Sequence, residues 1–237
     1  MDSNSFSFWI KNKRKKHGSL VKLPKLVPLL LTELWDKAKG FFDGPEKPGQ
    51  KPFELRRNLY VHSRIKPEHL WERFITQSMP NKIFFNQFSL TKTNNIDLLK
   101  INKQGEITDI FELKTGSNEL GHAAYEIIFY YFLLLEAEKR GFLKNCKVSK
   151  HINLIVLAPE YYYKTQYQKE FIKELQNNLQ KDIKYNKVNI KFIPLPKSCN
   201  KETIKQTTQE IRSKIVNKQV PANVLQDLRD YFSNVFN

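Results

Sequence analysis

Apolar and polar residues alternate along this 237-residue chain with two different periods, and each change of period marks an element. Over residues 28–42, Leu30, Leu34, Ala38 and Phe41 recur at helical spacing, with Thr32, Glu33, Asp36 and Lys37 between them. Residues 67–77 open with Pro and Glu, both favourable in a first helical turn, and carry the stripe Leu70, Trp71, Phe74 and Ile75. Residues 83–90 read as a strand. Residues 95–100 and 110–114 read as the two arms of a hairpin. Residues 118–139 form the strongest predicted helix, with Ala, Leu, Ile and aromatic residues throughout. The apolar run 151–158 predicts a strand buried on both faces. Residues 159–180 predict an amphipathic helix, and 188–193 a last strand stopped by Pro194 and Pro196. Two further helices are expected at about 201–217 and 221–236.

The predicted order is helix, three strands, helix, strand, helix, strand. A chain with this order satisfies its apolar faces as a mixed central β-sheet flanked by helices on both faces, an α/β fold. The Gly- and Pro-rich residues 43–52 mark the edge of the core. We therefore divide the chain into a basic N-terminal arm with a short helix and linker (1–55), the core (56–196) and a C-terminal helical extension (197–237).

The hairpin carries the candidate chemistry. Strand side chains alternate, so Glu112 and Lys114 share a face. Lys103-Gln104-Gly105-Glu106 supplies a Gly for a tight turn. With Gln104 and Gly105 as a two-residue loop, Lys103 faces Glu106, and the same register sets Asp97 opposite Glu112. Opposed residues have Cβ atoms roughly 4.5–5.5 Å apart, and two carboxylates at that distance repel unless a cation sits between them. Apolar neighbours on both faces, among them Ile96, Leu98, Leu99, Ile110, Phe111 and Leu113, predict a buried strand pair. Charges kept together at one end of such a pair point to work rather than solvation.

Composition narrows the partner. The net charge is +16 and the pI is about 9.7, which favours a polyanion, nucleic acid first; an abundance of Lys, Asn and Ile through genome bias is the plain alternative. The cluster at 11–16 reads equally as a nucleic-acid-binding arm or a solvated tail. The two cysteines, Cys146 and Cys199, form no CxxC pair and suggest neither a zinc site nor a disulfide framework. They fit a reducing cytoplasm. The apolar stretch near the N-terminus is broken by prolines and lysines, so neither a signal peptide nor a membrane span is expected.

Ile96-Asp97-Leu98-Leu99, a Gly-containing turn and Phe111-Glu112-Leu113-Lys114-Thr115-Gly116 together resemble the PD-(D/E)XK nuclease superfamily, over roughly residues 60–195. The element before Asp97 is Asn95-Ile96 rather than a Pro-Asp dipeptide, a departure common in that superfamily. The resemblance implies a restriction-endonuclease-like fold and a metal-dependent nuclease, with DNA favoured over RNA and a role in genome defence or mobile-element biology. It implies Mg²⁺ or Mn²⁺ held by Asp97, Glu112 and the Leu113 carbonyl, with Lys114 acting on the attacking water. Glu72 matches an acidic residue often present on the preceding helix and would complete a second metal site; a solvent-facing Glu72 paired with Arg73 or Gln77 is the plain alternative. Glu126 and Tyr130 share a helix face where exonuclease-like branches carry Gln-x-x-x-Tyr. Here the pattern is Glu-x-x-x-Tyr, with Glu126 expected near Lys114 or a metal-bound water, Tyr130 in the core, and His122 structural. A loop at Thr115-Gly116-Ser117 can bring backbone N–H groups to a phosphate, a signal too generic to count alone, and Tyr161, Tyr162, Tyr163 and Tyr167 are expected at a partly buried helix edge. The competing readings are a basic module that binds nucleic acid without cleaving it, and a basic subunit of a larger assembly. Pairing of two chains through the C-terminal helices is left open.

Overall fold

The computed structural model describes residues 6–43, 53, 55, 67–79, 84–90, 94–115, 120–163, 166–181, 187–195 and six positions between 226 and 234. Five strands form one sheet in the order β1-β2-β3-β4-β5: Phe84–Ser89, Asn95–Ile101, Glu106–Leu113, Lys147–Ala158 and Val188–Pro194. The first three are antiparallel neighbours, while β3, β4 and β5 run parallel. Parallel neighbours need long crossovers, and α4 (below) and α5 supply them.

The helices are α1, Phe6–His17; α2, Val27–Phe41; α3, Pro67–Ser78; α4, Leu120–Lys139; and α5, Gln166–Lys181. The expected helix over 159–180 is broken: a 3₁₀ turn at Glu160–Tyr163 precedes α5. The Tyr163 hydroxyl lies 3.0 Å from the Val156 carbonyl oxygen and 3.2 Å from that of Ile193, which ties this turn to the ends of β4 and β5.

Strand alternation divides the interior in two. Leu98, Phe111, Leu113, Ile155 and Leu157 pack with Leu70, Trp71, Phe74 and Ile75 of α3 on one side of the sheet. Leu99, Ile110, Leu154 and Val156 pack on the other side with α4, α5, α2 and α1. α4 lies between the sheet and the N-terminal helices, which accounts for its lack of a polar face: a helix apolar all round is one covered all round. Its residues from Ala123 to Leu134 are buried except Glu126.

Residues 6–17 of the basic N-terminal arm form a packed helix, α1, that the sequence pattern did not predict. Phe6 and Ile10 are almost fully buried against α4, and burial of each contributes on the order of 1.5–3 kcal/mol. Phe6 stacks on Phe129 with ring centroids 5.6 Å apart. Beside Phe6, Trp9 Nε1 donates to Glu33 of α2 and Lys13 forms an ion pair with the same carboxylate.

The hairpin turn also differs from expectation. The Asn102 N–H donates to the Glu106 carbonyl oxygen at 2.9 Å, so the loop has three residues, Lys103, Gln104 and Gly105. Gly105 has φ of 77°, a value at which a side chain is strained, and the Asn102 side-chain oxygen accepts from the N–H groups of Gln104 and Glu106. Thr108 is then an extra residue on β3, because Ile101 pairs with Ile107 and Lys100 with Asp109. This bulge offsets the longer loop. Leu98 consequently pairs with Phe111 and Leu99 with Ile110, which is the register that faces Asp97 with Glu112.

The expected helix over 201–217 lies outside the described residues. Of the one over 221–236, the described positions are Gln226, Arg229, Asp230, Tyr231, Ser233 and Asn234. Arg229 Nε donates to the Ser78 carbonyl oxygen at 3.1 Å, and the Tyr231 hydroxyl to that of Pro194. Among the described residues no helix is long and apolar enough to cross a membrane.

Candidate active site

β3 ends beside β2 on one edge and β4 on the other, so its last residues leave the sheet at a place covered by the first turns of α4. Glu112 and Lys114 point to the α4 side, as their parity with Ile110 requires. The Lys114 ammonium donates to Glu112 Oε1 and lies 3.0 Å from Glu126 Oε2 of α4. The Tyr130 hydroxyl, one turn further along, donates to Glu126 Oε1 at 3.0 Å, and His122 Nε2 lies 3.6 Å from Glu126 Oε2. Tyr130 is thus both a core residue and a clamp on Glu126.

Asp97 terminates the β2–β3 ladder with its side chain. The Leu113 N–H donates to Asp97 Oδ2 at 2.8 Å, which fixes this carboxylate at the end of β3. Asp97 keeps part of its surface in reach of solvent, although protein atoms crowd its carboxylate. Glu72, expected on α3 near the cluster, is fully buried rather than solvent-facing, and its carboxylate feels the charge of Asp97.

The electrostatics follow from three carboxylates gathered around one ammonium, with a fourth, Glu72, coupled to Asp97. Burial pushes Asp97 up to about 7, with Glu126 and Glu68 adding to the shift and Lys114 and the Leu113 N–H opposing it. Burial, reinforced by Asp97, pushes Glu72 up to about 9 despite the hydrogen bond from Gln87. Burial, then Asp97 and Glu126, hold Glu112 well above the usual carboxylate range, against the pull of Lys114. Burial would lower Lys114, but Glu112, Glu126 and Asp97 outweigh it and keep the ammonium charged. Glu126 is also penalised by burial, yet Lys114 and His122 hold it below its ordinary value. A cluster with this surplus of negative charge takes up protons or a cation.

Gln87 had no signal in the sequence. It lies on β1 between Asn86, paired with Leu98, and Phe88, paired with Ile96, which sets it across from Asp97. Its φ is 54°, an uncommon conformation for a residue with a Cβ. From there its side-chain amide donates to Glu72 Oε2. The kink turns one residue of an edge strand toward α3, and only the folded backbone reveals it. Gln87→Gly is expected to be more stable than Gln87→Ala by about 1 kcal/mol in urea unfolding, because both lose the amide but only Ala retains the φ penalty. In an ordinary strand Gly is the worse residue, so the reverse order would refute the kink.

Oxygen ligands suit a hard divalent cation. Among the described residues no three His, Cys, Asp or Glu side chains form a ready-made metal cage. Mg²⁺ does not require one, since it is commonly held by one or two carboxylates with water and substrate phosphate. Three carboxylate oxygens, Glu112 Oε2, Glu72 Oε1 and Glu126 Oε2, are buried without a hydrogen-bond partner among the described residues, the last of them within ion-pair distance of Lys114, an arrangement that is costly for the other two as it stands. The donor set therefore fits such a cation at Asp97 and Glu112, with Glu72 behind Asp97. Thr115 is buried beside Lys114, while Gly116 and Ser117 lie outside the described residues, as do the side chains of Tyr161 and Tyr167. Tyr162 is buried, as expected for that helix edge.

Compared with known proteins, the chain matches no family profile, no curated sequence and no solved structure.

Proposed function

We propose that this protein hydrolyses phosphodiester bonds in nucleic acid, DNA in preference to RNA, with Mg²⁺ or Mn²⁺. The observation that carries the reading is the convergence of Asp97, Glu112, Lys114 and Glu126 at the end of β3, with Glu72 behind Asp97. The resemblance of the hairpin to the PD-(D/E)XK superfamily supports the same chemistry, and so does the sheet that carries it, strand–turn–strand followed by a helix.

Asp97 and Glu112 would hold the cation, with the Leu113 carbonyl as a further ligand by resemblance. When bound, the cation activates water and stabilises charge on the phosphate. Lys114 stays protonated beside three carboxylates, so its role is to orient the attacking water and to offset negative charge developing at phosphorus, rather than to remove a proton as a free amine. Glu126, anchored by Tyr130 and Lys114, fixes the position of that ammonium and offers the acceptor for a water proton. Glu72 raises the affinity of the Asp97 side for positive charge.

The test is cleavage of supercoiled, linear and single-stranded DNA and of RNA, with Mg²⁺, Mn²⁺ or EDTA. Wild type is expected to cut in a metal-dependent manner, and Asp97→Ala is expected to bind but not cut. Equal behaviour of the two proteins would sink the enzymatic reading and leave a nucleic-acid-binding module.

A further inference from the structure

Three of the five Lys and Arg residues of α1, Lys11, Arg14 and Lys15, share one face. Ser7, Lys11, Arg14, Lys15 and Gly18 fall at spacings of four, three, one and three, which is one face of a helix, and this face lines a cavity of about 800 Å³. Ile10, Ser19 and His122 complete its wall, and no carboxylate lines it. Phe6 and the Lys13–Glu33 ion pair anchor α1 away from this face, and the buried Ile10 holds it at the edge of the cavity, so the basic face has a fixed orientation. Among the described residues Lys11 and Lys15 have no ion-pair partner, and both are exposed. Gly121 allows this arrangement: a Cβ there would meet the Val21 side chain at 3.2 Å, so the segment after α1 packs directly on the first turn of α4.

His122 joins this cavity to the candidate active site. It lines the cavity, packs edge-on against Phe6 with centroids 5.4 Å apart, and lies 3.6 Å from the Glu126 carboxylate that contacts Lys114. The geometry points to α1 as the phosphate-backbone subsite: Lys11, Arg14 and Lys15, with Ser7 and Ser19, bind consecutive phosphates of a nucleic-acid strand and lay it across His122 toward Lys114. The stripe from Ser7 to Gly18 is about 16 Å long at 1.5 Å per residue. One strand of a duplex presents a phosphate about every 3.4 Å of axis, so the stripe spans roughly five phosphates. The inference rests on the hydrolytic reading only for the direction in which the strand leads.

Fluorescence anisotropy with labelled single-stranded and duplex DNA 20-mers, in EDTA over a salt series, tests it. The variant replaces Lys11, Arg14 and Lys15 by Ala; a control of equal charge replaces Lys139, Lys144 and Lys150, at and beyond the far end of α4, roughly 20 Å from Glu126. All six side chains project from the surface, and melting temperatures check that both variants fold. The α1 variant is expected to bind at least tenfold more weakly near 0.1 M salt and to lose about two to three from the salt slope, the control less than threefold. Equal weakening by both variants, or no binding by wild type, overturns the subsite. Retained binding to the α1 face by a protein that does not cut leaves the subsite standing and removes the hydrolytic reading. Cutting by wild type with unchanged affinity of the α1 variant does the opposite.

Discussion

The metal-free protein is expected to lose thermal stability as pH rises from about 5 to about 9, and millimolar Mg²⁺ or Mn²⁺ is expected to restore it at the upper end. Asp97 moves from an ordinary 3.8 to about 7, and Glu72 from 4.5 to about 9. A carboxyl with a folded pKa above its unfolded value binds its proton more tightly when folded. Stability is therefore greatest below the unfolded pKa and falls as pH climbs toward the folded one. The window runs from about 4 to 7 for Asp97 and from about 4.5 to 9 for Glu72. Glu126 has the opposite sign, since its pKa is lowered, but its contribution is lost only in acid, below this window. Lys114 is raised from 10.5 and stays protonated throughout it.

Each unit of pKa difference corresponds to about 1.4 kcal/mol, and a chain of this size shifts its melting temperature by roughly 2–4 °C per kcal/mol. A net effect of two units across the coupled cluster already lowers Tm by about 5–10 °C. A cation bound by the ionised carboxylates reverses the trend by mass action. Asp97→Asn is expected to flatten the pH dependence, raise Tm at pH 9 without metal, and abolish the metal response. Melting curves in EDTA and in Mg²⁺ across pH 5–9 decide the matter. A melting temperature that rises with pH in EDTA would show that these carboxylates are paired and ionised, contrary to the charge surplus described above.

Lys114→Ala is expected to produce the second large effect, on stability and cleavage together. Lys114 bridges Glu112, which is 2% exposed, and Glu126. Removing it leaves the buried Glu112 carboxylate and the partly buried Glu126 carboxylate without their cation, and breaking a buried pair in this way typically costs about 3–5 kcal/mol. Cleavage is expected to fall by about 10²–10⁴-fold. Divalent cation separates the two losses, because it substitutes for the ammonium in neutralising the carboxylates but not in orienting water at phosphorus. Tm in Mg²⁺ should therefore recover in part, while cleavage does not. Full recovery of cleavage with stability would assign Lys114 a structural role only.

The sequence by itself determined the elements and most of the sheet. The periodic stripes of α2 and α3, the unbroken apolar surface of α4 and the β4 run each report how many faces an element buries, and that is a local property of spacing. The same local rule set Glu112 and Lys114 on one face and Glu126 with Tyr130 on one helix stripe. The tertiary structure decided what spacing cannot encode. The hairpin has a three-residue loop rather than two, and the bulge at Thr108 returns Asp97 to Glu112, so two departures offset each other across the strand pair. Gln87 adopts φ of 54° because contacts from β2 and α3 hold it there, and a glutamine carries no local preference for that conformation. Spacing left a solvated helix face open as the alternative for Glu72, and the packing of α3 against the sheet buries it. Residues 11–16 read equally as a binding arm or a solvated tail because only their charge is visible locally, whereas the burial of Phe6 and Ile10 depends on α4, more than a hundred residues away. Period and parity are written in neighbouring residues; loop length, strain and burial depend on partners that only the folded chain brings together.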